Sequence, residues 1–394
     1  MTGLHLSDVS RITSFVAAAA RTSIMKTFAI FLFLASGAVV AQTPRGDTLV
    51  SPEVRSDRRV TFRVRAPKAA EVSLFGDWMT PNTQQAMTRD EQGVWSTTAG
   101  PLEPGLAIYT FTVDGVTVPD PVNPRMKLRA RTSASLVDVP GNPPALWEAR
   151  DVPHGVIEVN WQKSNITGDT RAYQVYRPPG YDASRSTRYP VLFLLHGNND
   201  TAAGWTDVGK ANFILDNLIA EKKARAMIVV MPWGHAVPYA GSQSNNTAAF
   251  ERYLLEEVLP QVEKKYRVAR GRENRAIVGL SMGGGHALQI GLGHLDVFSA
   301  VAAFSSAVPN NFENRFKALL DDSAGTNKKL QLLWIGCGRQ DTAFERNAKL
   351  SEMLTAHHVT NTFYPTDGLH NFTVWRRYFA EVAPLLFRKN EKSN

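Results

Sequence analysis

Two kinds of apolar pattern divide the chain. Over residues 60–118 the apolar positions come in short β-like runs, at 60–64, 71–75, 93–97 and 107–113, punctuated by turn pairs such as Pro104-Gly105 and Asp114-Gly115. Strands at this spacing predict a small antiparallel, immunoglobulin-like β-sandwich over residues 50–140. The prolines of 119–124 and of Gly141-Asn142-Pro143-Pro144 read as linker.

From about residue 153 the pattern changes. The runs 189–195 and 226–231 are continuously apolar, as strands buried on both faces are. Between such runs lie helical stretches, for instance 249–265 with Phe250, Tyr253, Leu254, Val258 and Val262 at helical spacing. Alternating strands and helices predict an α/β domain over 151–390 with a mostly parallel sheet. No internal repeat is visible.

The first 41 residues look different again. Met25-Lys26, the apolar stretch 27–40 and the small residues ending at Ala41 form a secretory signal pattern, with cleavage expected between Ala41 and Gln42. Residues 1–24 then read as an upstream extension, and the mature protein as secreted or periplasmic. The apolar stretch is too short for a bilayer-spanning helix, so no membrane partner is expected after cleavage.

Composition narrows the classes further. A length of 394 residues suits two domains rather than one. Residues 1–41 hold three basic residues against one acidic, so the rest carries +6 of the formal +8. That excess is spread without a Lys/Arg block, which argues for a solvated basic surface and against nucleic-acid binding. With Cys337 as the single cysteine, no disulfide forms within the chain, and its apolar surroundings read it as a buried small side chain. The histidines show no paired metal-ligand spacing, so neither metal nor cofactor is expected.

Candidate chemistry centres on Gly279-Leu280-Ser281-Met282-Gly283, set between the apolar run 275–278 and a glycine-rich helix start. A serine hydroxyl is a poor nucleophile at neutral pH. It must be presented on a sharp turn where a histidine can take its proton. The pattern occurs by chance in about one chain in ten of this size, so its flanks and partners decide. In the α/β-hydrolase order the acid follows the serine and the histidine comes last. Asp341 follows the strand-like run 332–335, in a loop at the C-terminal edge of the sheet, where open α/β sheets place their sites. His370 lies between a short strand at 361–364 and a final helix at 374–387. Asp367, in the same loop, is the rival acid, with a turn-forming role as its alternative.

The oxyanion donors are expected to be the N–H groups of Met282 and of Asn198, with Asn199 close behind; His196 reads as structural. Trp233 and His235, after the run 226–231, and Trp205 are expected to line the rim and bind substrate.

These residues resemble carbohydrate esterase family 1, the feruloyl and acetyl xylan esterases. The likeness rests on Tyr176-Arg177-Pro178-Pro179-Gly180-Tyr181, Leu194-Leu195-His196-Gly197, the glycines from Gly279 to Gly285, Leu333-Trp334-Ile335-Gly336-Cys337-Gly338 ahead of Asp341, and Val374-Trp375-Arg376-Arg377-Tyr378. The front segment is similar to a family 48 carbohydrate-binding module through Phe75-Gly76-Asp77-Trp78, Gly93-Val94-Trp95 and Val113-Asp114-Gly115 with Asp120-Pro121. The resemblance implies an α/β-hydrolase fold with Ser281, Asp341 and His370 as the triad, and acyl esters of plant polysaccharide as substrate. Trp78 and Trp95 are the front domain's candidate sugar platforms. One departure is Phe372, where family members often carry tryptophan. The alternatives are a siderophore esterase of the enterochelin type, which would want several cations near Ser281, and a carbohydrate-binding protein with an inactive hydrolase domain.

Overall fold

In this computed structural model, residues 49–129, 133–238 and 245–388 are described; the expected signal segment and its cleavage point lie outside them. Two layers of antiparallel strands come first. One sheet runs Glu53–Val54, Val60–Arg65, Val94–Ala99, Thr88–Arg89. The other runs Gln85–Ala86, Val72–Gly76, Gly105–Val113, Ala134–Val139, Met126–Lys127, with Val116–Val118 also pairing Gly105–Val113. Alternation of apolar and polar positions puts Val60, Phe62 and Val64 into the space between the sheets, against Leu74, Tyr109 and Phe111.

The expected linker at 119–124 is instead part of this sandwich. Asp120 is buried and accepts from Ser51 Oγ at 2.6 Å and Tyr109 OH at 2.8 Å, while its N–H donates to Ser135 Oγ. Burial of its carboxylate demands these partners, and they fasten the segment to the sheet.

Gly105–Val113 is buried on both faces. Ala107, Tyr109 and Phe111 face the sandwich core, whereas Leu106 and Ile108 join Ala134 and Leu136 in the core of the following domain. The front sheet therefore serves two cores.

We number the eight strands of the largest sheet β1 Val156–Lys163, β2 Thr170–Arg177, β3 Val191–Leu195, β4 Ile228–Pro232, β5 Arg275–Leu280, β6 Ala300–Phe304, β7 Leu332–Gly338 and β8 Thr362–Thr366. Their order is β1-β2-β4-β3-β5-β6-β7-β8, with β2 antiparallel to both its neighbours β1 and β4 and all other pairings parallel. All five residues of each of β3, β4 and β6 are buried, as strands covered on both faces require.

The predicted helix at 249–265 begins at Asn246 and is interrupted by a π-turn at Tyr253–Val258 before resuming at Leu259–Lys265. Pro260, at the start of the resumed helix, has no N–H to give, so a regular ladder cannot run through. The final helix is Phe372–Val382, two residues earlier than its apolar spacing suggests, because Asn371 Oδ1 caps it by accepting the Val374 N–H at 3.2 Å. No described helix is long and apolar enough to cross a membrane.

Candidate active site

Ser281 leaves β5 at its C-terminal end and begins the helix Met282–Gly293. Its φ of +52° lies in the left-handed region that a residue with a Cβ rarely adopts, a strain on the order of 1–3 kcal/mol. The backbone is clamped there: its N–H donates to the Phe304 carbonyl at 2.8 Å, and its own carbonyl accepts from Gly285 and Ala307, both at 3.0 Å. The glycines are required by contact. A Cβ on Gly279 would fall on the Gly283 carbonyl, and one on Gly283 on the carbonyls of Leu195 and His196.

His370 follows β8 and Asp341 follows β7, so the same edge of the sheet gathers all three residues. His370 Nε2 lies 3.0 Å from Ser281 Oγ, and Nδ1 lies 3.0 and 2.9 Å from the two Asp341 oxygens. A carboxylate only accepts, so Nδ1 carries the proton and Nε2 is left to accept from the serine. Burial by itself would push the Asp341 carboxyl up. The His370 hydrogen bond and charge, the Ala343 N–H and Ser305 outweigh it and hold the carboxyl below the ordinary carboxylate range. Asp367 is exposed and has no bond to His370.

Two supporting residues escape sequence reasoning. Trp375 Nε1 donates to Ser305 Oγ at 3.0 Å, and its ring stands edge-on to His370 at 4.9 Å. Trp375 sits one turn after the Asn371 cap, a spacing that marks it as facing the histidine loop; Ser305 ends a strand that offers no such signal.

The loop after β3 rests against the serine: a Cβ on Gly197 would meet Leu280 and Ser281. His196 Nε2 accepts the Gly234 N–H at 2.8 Å and Nδ1 donates to the Gly197 carbonyl at 2.8 Å. Burial lowers its pKa to about 4, so this strut is neutral.

The three expected rim residues lie elsewhere. Trp205 is wholly buried, its Nε1 spent on the Leu195 carbonyl and its ring packed on Phe304, Phe372 and Phe379. His235 is also buried and donates from Nε2 to the Asn198 carbonyl at 2.7 Å, which makes it a support of the loop. Trp233 lies edge-on to His235, with the buried Arg171 guanidinium 5.3 Å over its ring, and lines neither cleft at Ser281. In each case the ring is taken up by partners within the protein, the commoner fate of aromatic residues.

Two clefts meet at Ser281. One, of 530 Å³, is lined by Ser305, Ser306, Ala307, Arg346 and Lys349. The other, of 370 Å³, takes Asn198, Asn199 and Phe372 from the domain of the eight-stranded sheet and Asp77, Lys127 and Arg129 from the front sheets. Phe372 carries the Lys127 ammonium 4.8 Å over its ring. The front tryptophans are committed to packing: Trp95 is buried with Nε1 on the Ala66 carbonyl, and Trp78 stacks on Phe62 at 5.7 Å.

Residues 164–386 match the model of the Esterase family. The endo-1,4-beta-xylanase/feruloyl esterase of Xylanibacter ruminicola is 30% identical over 344 residues, covering 86% of this chain and 46% of that protein. The chain spans about half the length of the first curated relatives it matches. Among solved structures, a ferulic acid esterase is 28% identical with a TM-score of 0.52, covering 60% of this chain and 98% of its own. The enterochelin esterase of Shigella flexneri is 16% identical with a TM-score of 0.64, covering 85% of this chain and 94% of its own. That second likeness bears on the fold alone, and its coverage takes in part of the front sheets.

Proposed function

The chain belongs to the Esterase family, and from that premise we propose that it is a secreted serine esterase releasing acyl groups, feruloyl or acetyl, from plant-wall polysaccharide such as xylan. The observation that carries the reading is the unbroken relay from Ser281 Oγ through His370 to Asp341, with the serine held at a strained elbow.

His370 Nε2 takes the Ser281 proton as Oγ attacks the ester carbonyl carbon. The oxyanion falls to the N–H groups of Met282, at the start of its helix, and Asn198. His370 returns the proton to the departing alcohol oxygen. Water then repeats the attack on the acyl-serine with His370 as base, His370 gives that proton to Ser281 Oγ as the acyl bond breaks, and the acid leaves. Asp341, kept ionised, holds the tautomer throughout. No step calls for a cofactor.

The acyl and sugar assignments draw on what the xylanase/feruloyl esterase relative is called. A second reading, a siderophore esterase, draws on the cations beside Ser281, since Lys127, Arg129, Arg346 and Lys349 line its clefts. Turnover of methyl ferulate, acetylated xylan and enterobactin by the purified chain separates the two. Hydrolysis of none of these would sink both.

A further inference from the structure

The cleft between the front sheets and Ser281 holds charged groups that the hydrolytic steps do not use. Lys127, at the end of the short strand Met126–Lys127, is buried and ion-paired with the buried Asp200. Two residues on, Arg129 lines the same cleft. Asp200 and Asp77 bear on it electrostatically, but among the described residues no hydrogen bond or ion pair engages its guanidinium. Asp77, half-buried, lines the cleft too. Its Oδ1 accepts the Ile108 N–H at 3.1 Å, while Oδ2 is buried without any hydrogen-bond partner.

The half-buried Arg129 fork, with no bonded partner, is open to a ligand, and a buried carboxylate oxygen with no donor is costly to maintain. Each would be satisfied by a ligand bringing the missing half. Arginine's fork suits a carboxylate, and a lone carboxylate oxygen suits a hydroxyl donor. Few ester substrates carry both within one cleft width of the scissile bond; a sugar acid does.

We propose that Arg129 and Asp77 of the front sheets form a recognition site for a sugar acid, with the carboxylate on Arg129 and a ring hydroxyl on Asp77 Oδ2. This rests on the esterase reading, because the site matters to turnover only if Ser281 is the nucleophile beside it. Lys127 is already neutralised by Asp200, so its part is to hold the strand end against Phe372 and thereby aim Arg129. The front sheets then act as one wall of the substrate site.

The test is equilibrium binding of D-glucuronate and D-glucose, by calorimetric titration of the full chain carrying Ser281→Ala. Glucuronate is expected to bind at least tenfold more tightly than glucose. Adding Arg129→Gln should reduce that preference to within twofold, and adding Arg129→Lys should keep at least part of it. Asp77→Asn should weaken both sugars. Absence of a preference in the Ser281→Ala chain, including failure of both sugars to bind, overturns the proposal, as does a preference untouched by Arg129→Gln. Should Arg129→Gln fail to fold, the Asp77→Asn and Arg129→Lys chains decide. Because no turnover is read, loss of the esterase reading would show separately, as a wild-type chain that binds glucuronate yet hydrolyses no ester.

Discussion

Asn371 Nδ2 donates to the main-chain carbonyl of Asp77 at 2.8 Å, tying the neighbour of the candidate general base to a turn 294 positions earlier in the chain. The same side chain caps the final helix through Oδ1. One residue thus fixes the histidine loop to the helix behind it and to the front sheets beside it.

Replacing Asn371 by Asp keeps the capping acceptor and removes the donor to Asp77. Facing a carbonyl with a carboxylate is unfavourable as well. We expect kcat on a small aryl ester to fall roughly tenfold and the melting temperature to fall as well, although the cap of about 1 kcal/mol survives. Unchanged kcat would mean that the bridge does not position His370.

Removing residues 1–150 tests the same junction at larger scale. Leu106, Ile108, Ala134 and Leu136 pack in the hydrolase core, and Arg376, buried, donates to the Leu106 carbonyl at 2.8 Å. The truncated chain is expected to lose activity on small esters as well as on polysaccharide, and to unfold at lower temperature than the intact chain. Full activity on phenyl acetate with loss only on insoluble arabinoxylan would restore a binding-module role.

Asp77 gives a pH signature. Burial raises its carboxyl to about 6, against the pull of the Ile108 N–H, Arg376, Lys127 and Arg129. A folded pKa above the unfolded value favours the protonated form, so stability from this group is present below about pH 4 and is lost as pH rises through 6. Asp77→Asn, which keeps the acceptor for Ile108, should therefore stabilise the protein at pH 8 by about 2–3 kcal/mol and have little effect at pH 3.5. Urea unfolding at the two pH values reads this directly; equal effects at both would show that the carboxyl titrates normally.

The acid is tested by a pair of variants. Asp341→Asn should lower kcat by roughly 10⁴, because the wrong imidazole tautomer is then favoured, while Asp367→Asn, at an exposed position, should change it by less than about threefold. The reverse outcome would move the acid to Asp367.

How much of this the chain's pattern discloses depends on whether the signal is local. The elbow around Ser281 is written in consecutive residues, since two backbones must approach where only glycine fits, and the order of Asp341 and His370 follows from strands that the apolar runs mark. The rim was illegible. Whether Trp205 or Trp233 faces substrate or core depends on partners such as Phe379 and Arg171, which the fold brings from elsewhere. The linker reading of 119–124 failed for the same reason, as nothing near Asp120 in sequence announces Ser51 and Tyr109. The stretch 106–109, apolar at four successive positions where a sandwich strand should alternate, was the one available hint that the front sheet has a second core to serve.

The most direct test of the account is Ser281→Ala, assayed on phenyl acetate and methyl ferulate beside the wild-type chain with folding followed by circular dichroism. Groups that act as a unit lose most of their effect together. The account predicts an unchanged spectrum and a kcat lower by on the order of 10³ to 10⁶; a folded variant retaining a tenth of wild-type turnover would contradict it.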